Sequence, residues 1–130
     1  DDSGTNKKEI SLWEAAALDP TSEEYYNSTG KGMGDTLVMA DELLAYTMTD
    51  RATYLNMKSS LELEIVLEGD PLLFNQYGVI PVNPETNNLI NHAEALAFVE
   101  WLLSEETQAK IATYGVEAFG APLFTPNATK

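Results

Sequence analysis

Apolar residues recur at three- and four-residue steps in several stretches of the chain, a spacing that places them on one face of an α-helix. The predicted helices span residues 5–18, 34–45, 91–103 and 104–114. Asp19 and Pro20 end the first pattern, and Gly115 ends the last. A further short helix is predicted over residues 21–26, because Thr21 and Glu24 have the spacing of a capping box.

Two other stretches have the features of β-strands. In residues 61–67, leucine or isoleucine at the odd positions alternates with glutamate or valine, which predicts a half-exposed strand. Residues 77–82 are predicted to form a second strand, and Pro81 favours an edge or bulge position in it. Helices interleaved with a few strands indicate an α/β fold. We expect a small mixed sheet, containing residues 63–67 and 77–82, flanked by helices.

Composition limits the partners that the chain can have. Its 130 residues fit one domain, or one and a part, and 21 acidic against 7 basic residues give a net charge of −14. Nucleic acids and anionic membranes are bound through basic patches, so both are unfavoured. The chain has no cysteine and starts at Asp1 without an initiator methionine. We therefore expect no disulfide framework or thiolate metal site, and a processed or excised piece of a longer protein.

Neither catalysis nor a transition-metal site is indicated. His92 is the only histidine and stands at a predicted helix start, and no serine or threonine has the context of a nucleophile with its base. The glycine-rich residues 30–36 lack the spacing of a phosphate-binding loop, which favours a flexible connection to the next helix. Trp13 and Trp101 fall at apolar helix positions and are predicted to lie in the core.

A candidate anion site surrounds Arg51, which is the only arginine and lies between hydroxyl residues in residues 47–54. The planar guanidinium matches an oxyanion better than an ammonium group does. Residues 1–5 form a second donor-rich segment before a predicted helix, and helix starts leave backbone N–H groups unpaired. Each segment alone is more typical of an ordinary helix cap or surface residue. Together they predict an anion site made of Ser3, Gly4, Thr5, Thr49, Asp50 and Arg51.

The same segments resemble the tungstate-binding proteins of Tup-type ABC transporters. The specific matches are the Asp-Asp-Ser-Gly-Thr start and the Thr-Asp-Arg segment at residues 49–51. More generic matches follow in order along the chain, at residues 30–37, 77–80, 82–84, 119–120 and 122–124. Ala52 stands where that family often has glycine.

The resemblance implies a lobe of the type II periplasmic-binding-protein fold, in which two α/β lobes close on an oxyanion. A Ser-Arg-Gly motif and a threonine-rich first-lobe motif of that family are absent from this sequence. Residues 1–130 are therefore expected to be the second lobe plus the C-terminal return segment, with the return crossing within residues 53–90. The implied partners are a missing first lobe and the membrane subunit of an ABC transporter.

The function implied is extracytoplasmic binding of a tetrahedral oxyanion, tungstate before molybdate, without catalysis or another cofactor. The location implied is periplasmic or extracellular, by secretion or lipid anchoring. The residues themselves suggest that Ser3, Thr5, Thr49 and Arg51 converge, with Asp50 either orienting Arg51 or capping the following turn. Two alternatives remain: a ligand-sensing effector domain of a regulatory protein, or a lobe that no longer binds ligand.

Overall fold

A computed structural model describes residues 3–128 and divides the chain into two compact units, residues 1–74 and 75–130. In the described residues the α-helices are α1 (Gly4–Ala15), α2 (Met33–Glu42), α3 (Arg51–Met57), α4 (His92–Leu102), α5 (Glu105–Thr113) and α6 (Val116–Phe119). Short 3₁₀ helices cover Pro20–Ser22, Lys58–Ser60, Pro71–Leu73 and Pro84–Thr86.

The four long predicted helices correspond to α1, α2, α4 and α5, with ends shifted by one to three residues. Helix α1 stops at Ala15 rather than Leu18 because Ala17 adopts a left-handed conformation with φ of 55°. The helix predicted over residues 21–26 is wrong. Only the 3₁₀ helix Pro20–Ser22 forms there, and its N-cap is Asp19, whose Oδ1 accepts a hydrogen bond from the Thr21 backbone N–H at 3.1 Å.

In the first unit, Glu9 ties α1 to the loop that follows it. Its Oε1 accepts a hydrogen bond from Trp13 Nε1 at 2.6 Å, and its Oε2 accepts one from the Tyr26 hydroxyl at 3.0 Å. Partial burial, followed by the hydrogen bond and negative charge of Glu9, raises the pKa of Tyr26. Helix α1 itself has no buried residue, so this carboxylate is a principal link between the helix and its surroundings.

The core of the first unit lies between α2 and α3. Leu37 and Ala40 of α2 and Tyr54 of α3 are its buried apolar side chains, only 2%, 5% and 6% exposed. The two helices approach closely at one end, where a Cβ added to Gly34 would lie 3.3 Å from Met57 Sδ. Helices α2 and α3 contact each other, and both contribute to the buried side chains of this unit.

The second unit contains α4, α5 and α6, with α4 packed on α5. Ser104 caps α5 and its hydroxyl contacts that of Thr107, which is buried. The chain turns after α5 at Gly115, where φ is 94° and an added Cβ would lie 2.5 Å from Leu123 Cγ. A side chain is excluded there both by the backbone conformation and by this close approach.

The expected sheet is not confirmed, because residues 3–128 contain no strand. Strand pairing needs free backbone N–H and C=O groups, whereas those at the start of residues 61–67 are engaged by side chains. Asp41 Oδ1 accepts hydrogen bonds from the backbone N–H groups of Glu62 and Leu63 at 2.8 and 3.0 Å. The Tyr54 hydroxyl donates one to the Leu63 carbonyl at 3.0 Å. In residues 77–82, Pro81 has no N–H to donate.

Many apolar side chains are uncovered in both units. Trp101, predicted to lie in the core, is 54% exposed, and its ring centroid lies 5.5 Å from that of Phe98 in the same helix. Val66 and Ile80, in the two segments predicted as strands, are 78% and 86% exposed. Apolar surface of this extent at predicted strand positions is typical of segments that pack against further structure.

Candidate functional site

The start of α3 is fixed by Asp50. Its Oδ1 accepts a hydrogen bond from the Thr53 backbone N–H at 2.8 Å, and its Oδ2 accepts one from the Thr53 hydroxyl at 2.9 Å. The Asp50 backbone N–H in turn points to Met33 Sδ at 3.3 Å, which joins the cap to the start of α2. Of the two roles predicted for Asp50, capping is the one confirmed, because both of its carboxylate oxygens are used in the cap.

Arg51 is the first residue of α3, and its guanidinium pairs with Glu68. The Arg51 Nη2 and Glu68 Oε2 atoms lie 2.6 Å apart, and the two side chains are 43% and 50% exposed. Guanidinium has five N–H donors in a fixed plane, so a contact at one nitrogen leaves the donors on Nε and the other Nη outside that contact. The pair is accessible to solvent, which a site for a dissolved anion requires.

Thr49, one residue before the cap, is half-buried, and its hydroxyl donates a hydrogen bond to the Asp50 carbonyl at 3.2 Å. A hydroxyl that donates in this way can still accept, and it can rotate to donate to a ligand. Thr49, Asp50 and Arg51 are therefore brought together around a single helix start.

The start of α1 contains the other predicted residues. Ser3 is its N-cap, and the Ser3 Oγ accepts a hydrogen bond from the Asn6 backbone N–H at 3.2 Å. Gly4 is the first helical residue and Thr5 follows it. Asp1 and Asp2 lie outside the described residues. The helix start predicted here is confirmed, and its convergence with Arg51 stays a prediction.

Three further findings concern the described residues. A cleft of about 410 Å³ beside the C-terminal end of α3 is lined by Tyr54, Lys58 and residues 61–65, and none of the predicted site residues lines it. Within residues 3–128, no group of three or more His, Cys, Asp or Glu side chains is placed to hold a metal ion. No helix in this part of the chain is long and apolar enough to span a membrane.

Sequence analysis did not identify Glu68 as a neighbour of Arg51. Glu68 directly follows the segment predicted as a strand, residues 61–67, and directly precedes Gly69, whose φ is 77°. The only signal in the sequence is the Gly-Asp-Pro turn that follows it, which predicts a chain reversal but not the residue that Glu68 faces.

A family model described as "PBP superfamily domain" matches residues 1–106. The chain belongs to the PBP superfamily. It is 59% identical over 130 residues to the tungstate-binding protein TupA of Peptoclostridium acidaminophilum, a match that covers 100% of this chain and 45% of that protein. This level of identity extends the relationship over the full chain, beyond the residues that the family model matches.

Solved structures of this superfamily share the fold. The tungstate-binding protein TupA from Desulfovibrio alaskensis G20 matches with a TM-score of 0.85 and 43% identity over 99% of this chain and 53% of that one. A structure described as the tungstate ABC transporter from Geobacter sulfurreducens matches with a TM-score of 0.73 and 37% identity, covering 86% and 47%. These likenesses support a type II periplasmic-binding fold. The chain spans about half the length of the relatives that it matches.

Proposed function

We propose that this chain forms the second lobe and C-terminal return segment of a receptor for a tetrahedral oxyanion, with tungstate favoured and molybdate next. The observation that supports this most is the 59% identity, along the full chain, to a protein named for tungstate binding. The proposed role is binding and delivery to the membrane subunit of an ABC transporter, outside the cytoplasm, without catalysis.

The proposed ligand set is Ser3, Gly4, Thr5, Thr49, Asp50 and Arg51, with Asp50 acting through its cap of α3. Tungstate is a dianion whose oxygens accept hydrogen bonds, and hydroxyl, backbone N–H and guanidinium donors suit it. The net charge of −14 opposes the ligand at long range. Charges beyond about 8–10 Å are largely screened at physiological salt, so short-range donors determine the affinity.

We also propose that a first lobe completes the structure. The unpaired segments 63–67 and 77–82 would then join strands of a small mixed sheet, and their apolar side chains would be covered. Two observations support this arrangement. Val66 and Ile80 are largely exposed, and this chain spans only about half the length of the relatives that it matches. Closure of the two lobes would exclude water from the bound anion and strengthen its hydrogen bonds.

Calorimetry on the natural protein that contains this sequence tests the proposed function. Tungstate, molybdate, sulfate and phosphate are titrated separately under identical buffer and salt. We expect the first two anions to bind more tightly than the last two. Equal affinity for all four anions, or no binding of any, would contradict the proposal.

A further inference from the structure

Glu68 and Arg51 form an ion pair that links two distant parts of the first unit. Seventeen positions separate them in the sequence, yet Nη2 and Oε2 are 2.6 Å apart. A second ion pair, Lys110–Glu106, joins two residues of one helix, α5. The Arg51–Glu68 pair, in contrast, joins α3 to the segment that follows it.

The segment that presents Glu68 is bonded to α2 and α3 at its start and enters a local turn directly after Glu68. Toward its start, Asp41 binds the backbone of Glu62 and Leu63, and Tyr54 binds the Leu63 carbonyl. Directly after Glu68, Gly69 turns the chain, and Asp70 Oδ1 accepts a hydrogen bond from the Leu72 backbone N–H at 2.7 Å. A carboxylate on a segment that is bonded to α2 and α3 can restrict a long, flexible partner side chain.

We propose that Glu68 is a positioning residue of the oxyanion site, which holds the Arg51 guanidinium by one nitrogen and leaves its remaining donors directed to the ligand. This inference rests on the proposed function. Arginine loses side-chain entropy when it becomes ordered, and a half-exposed arginine without a partner would lose that entropy when the ligand binds. Because the ion pair with Glu68 already orders the Arg51 side chain, this entropy is lost before the anion binds.

The opposite effect of Glu68 is also physically possible, because a carboxylate near a dianion repels it. Two features favour positioning. The 2.6 Å contact is made by Nη2, and a guanidinium has further N–H donors on Nε and Nη1 that an anion can bind. Both side chains are also in contact with water, which screens the repulsion. The sign of the effect on affinity separates the two cases.

Tungstate titrations of the natural protein and its variants test the inference. Glu68→Ala removes the partner and is expected to raise the Kd by up to about fivefold, the range of a partly exposed ion pair. Glu68→Gln keeps an oxygen that can accept from Nη2, so its Kd should stay close to that of the parent. Glu64→Ala removes an equal charge from the same segment, and it should leave the Kd unchanged.

Combining Glu68→Ala with Arg51→Ala shows whether Glu68 acts through the guanidinium. In the Arg51→Ala background, Glu68→Ala should no longer change the Kd. Tighter binding by both Glu68 variants would overturn the inference in favour of repulsion. An equal loss with and without Arg51, or a Glu68→Ala variant that binds as the parent does, would also overturn it. A parent protein that binds no tungstate would instead contradict the proposed function itself.

Discussion

The starts of α1 and α3 were predicted as equivalent anion-binding segments, and the structure makes them different. At α3, Asp50 is bonded twice to Thr53, and Tyr54 one turn later is 6% exposed. At α1, the Ser3 hydroxyl accepts a longer bond of 3.2 Å, and the helix buries no side chain. The helix that carries one set of donors, α3, therefore has a buried residue one turn from its start, whereas α1, which carries the other set, has no buried residue.

This difference indicates how the two segments would contribute to binding. Donors on a helix that is fixed by buried side chains lose little entropy when a ligand binds, so a helix with a buried residue near its start is the better-ordered platform. We therefore expect substitutions near α3 to have larger effects on stability and affinity than matched substitutions near α1.

The largest effect is expected from removing the anchor of α3. Tyr54→Ala deletes a buried ring and its hydrogen bond to Leu63, and should lower the free energy of unfolding by about 3–5 kcal/mol. Tyr54→Phe loses only the hydroxyl, at about 1 kcal/mol. Tyr46→Ala is the control, because Tyr46 is 89% exposed. Denaturant unfolding measures all three, and an equal loss from Tyr46→Ala would show that Tyr54 is no anchor.

The second-largest effect is expected from removing the Arg51 guanidinium. Arg51→Ala should weaken tungstate binding about ten- to a hundredfold, because a charge-assisted hydrogen bond contributes about 1.5–3 kcal/mol. Lys110→Ala is the matched control, since Lys110 is 68% exposed and pairs with Glu106 in the other unit. Calorimetry compares the two variants. Binding by Arg51→Ala that equals the parent would remove Arg51 from the site.

The two caps provide a direct comparison of the helix starts. Asp50→Ala should cost about 1–2 kcal/mol of unfolding free energy, and Ser3→Ala about 0.5 kcal/mol, the upper and lower parts of the range for N-caps. Asp50→Asn should recover most of the loss because its side-chain oxygen can still accept from Thr53. Thermal or denaturant unfolding provides the values. A greater loss from Ser3→Ala would reverse the ranking of the two helix starts.

The smallest expected effect concerns the hydrogen bond from the Tyr26 hydroxyl to Glu9, which links α1 to the loop that follows it. The raised pKa of Tyr26 means that the folded protein retains the phenolic proton better than the unfolded chain does. This contribution is complete below the ordinary pKa of 10.0 and is lost as the pH rises through the raised value. Unfolding should thus become easier from about pH 10 upward. Tyr26→Phe should flatten this dependence, whereas Tyr25→Phe, at a 69% exposed position, should leave it intact.

Local patterns in the sequence predicted α1, α2, α4 and α5, because a helix bonds within itself and its cap lies within three residues. The helix predicted over residues 21–26 was wrong. Capping of the following turn was one of the two roles predicted for Asp50, and it is confirmed. The sheet was not confirmed, because alternation in residues 61–67 says which side chains share a face and not which strand pairs with them. The contact between Arg51 and Glu68 could not be predicted either, since it depends on where a chain reversal places a distant residue.

A crystal structure of the natural protein with tungstate tests the central proposal most directly, because tungsten gives a strong anomalous signal. We predict a tungsten peak whose surrounding oxygens lie within about 3.2 Å of the Arg51 guanidinium and of the Ser3 or Thr5 hydroxyl. Arg51 should also retain its contact with Glu68 in that structure. A tungsten site without Arg51, or an Arg51 that is remote from both Ser3 and Thr5, would contradict the account.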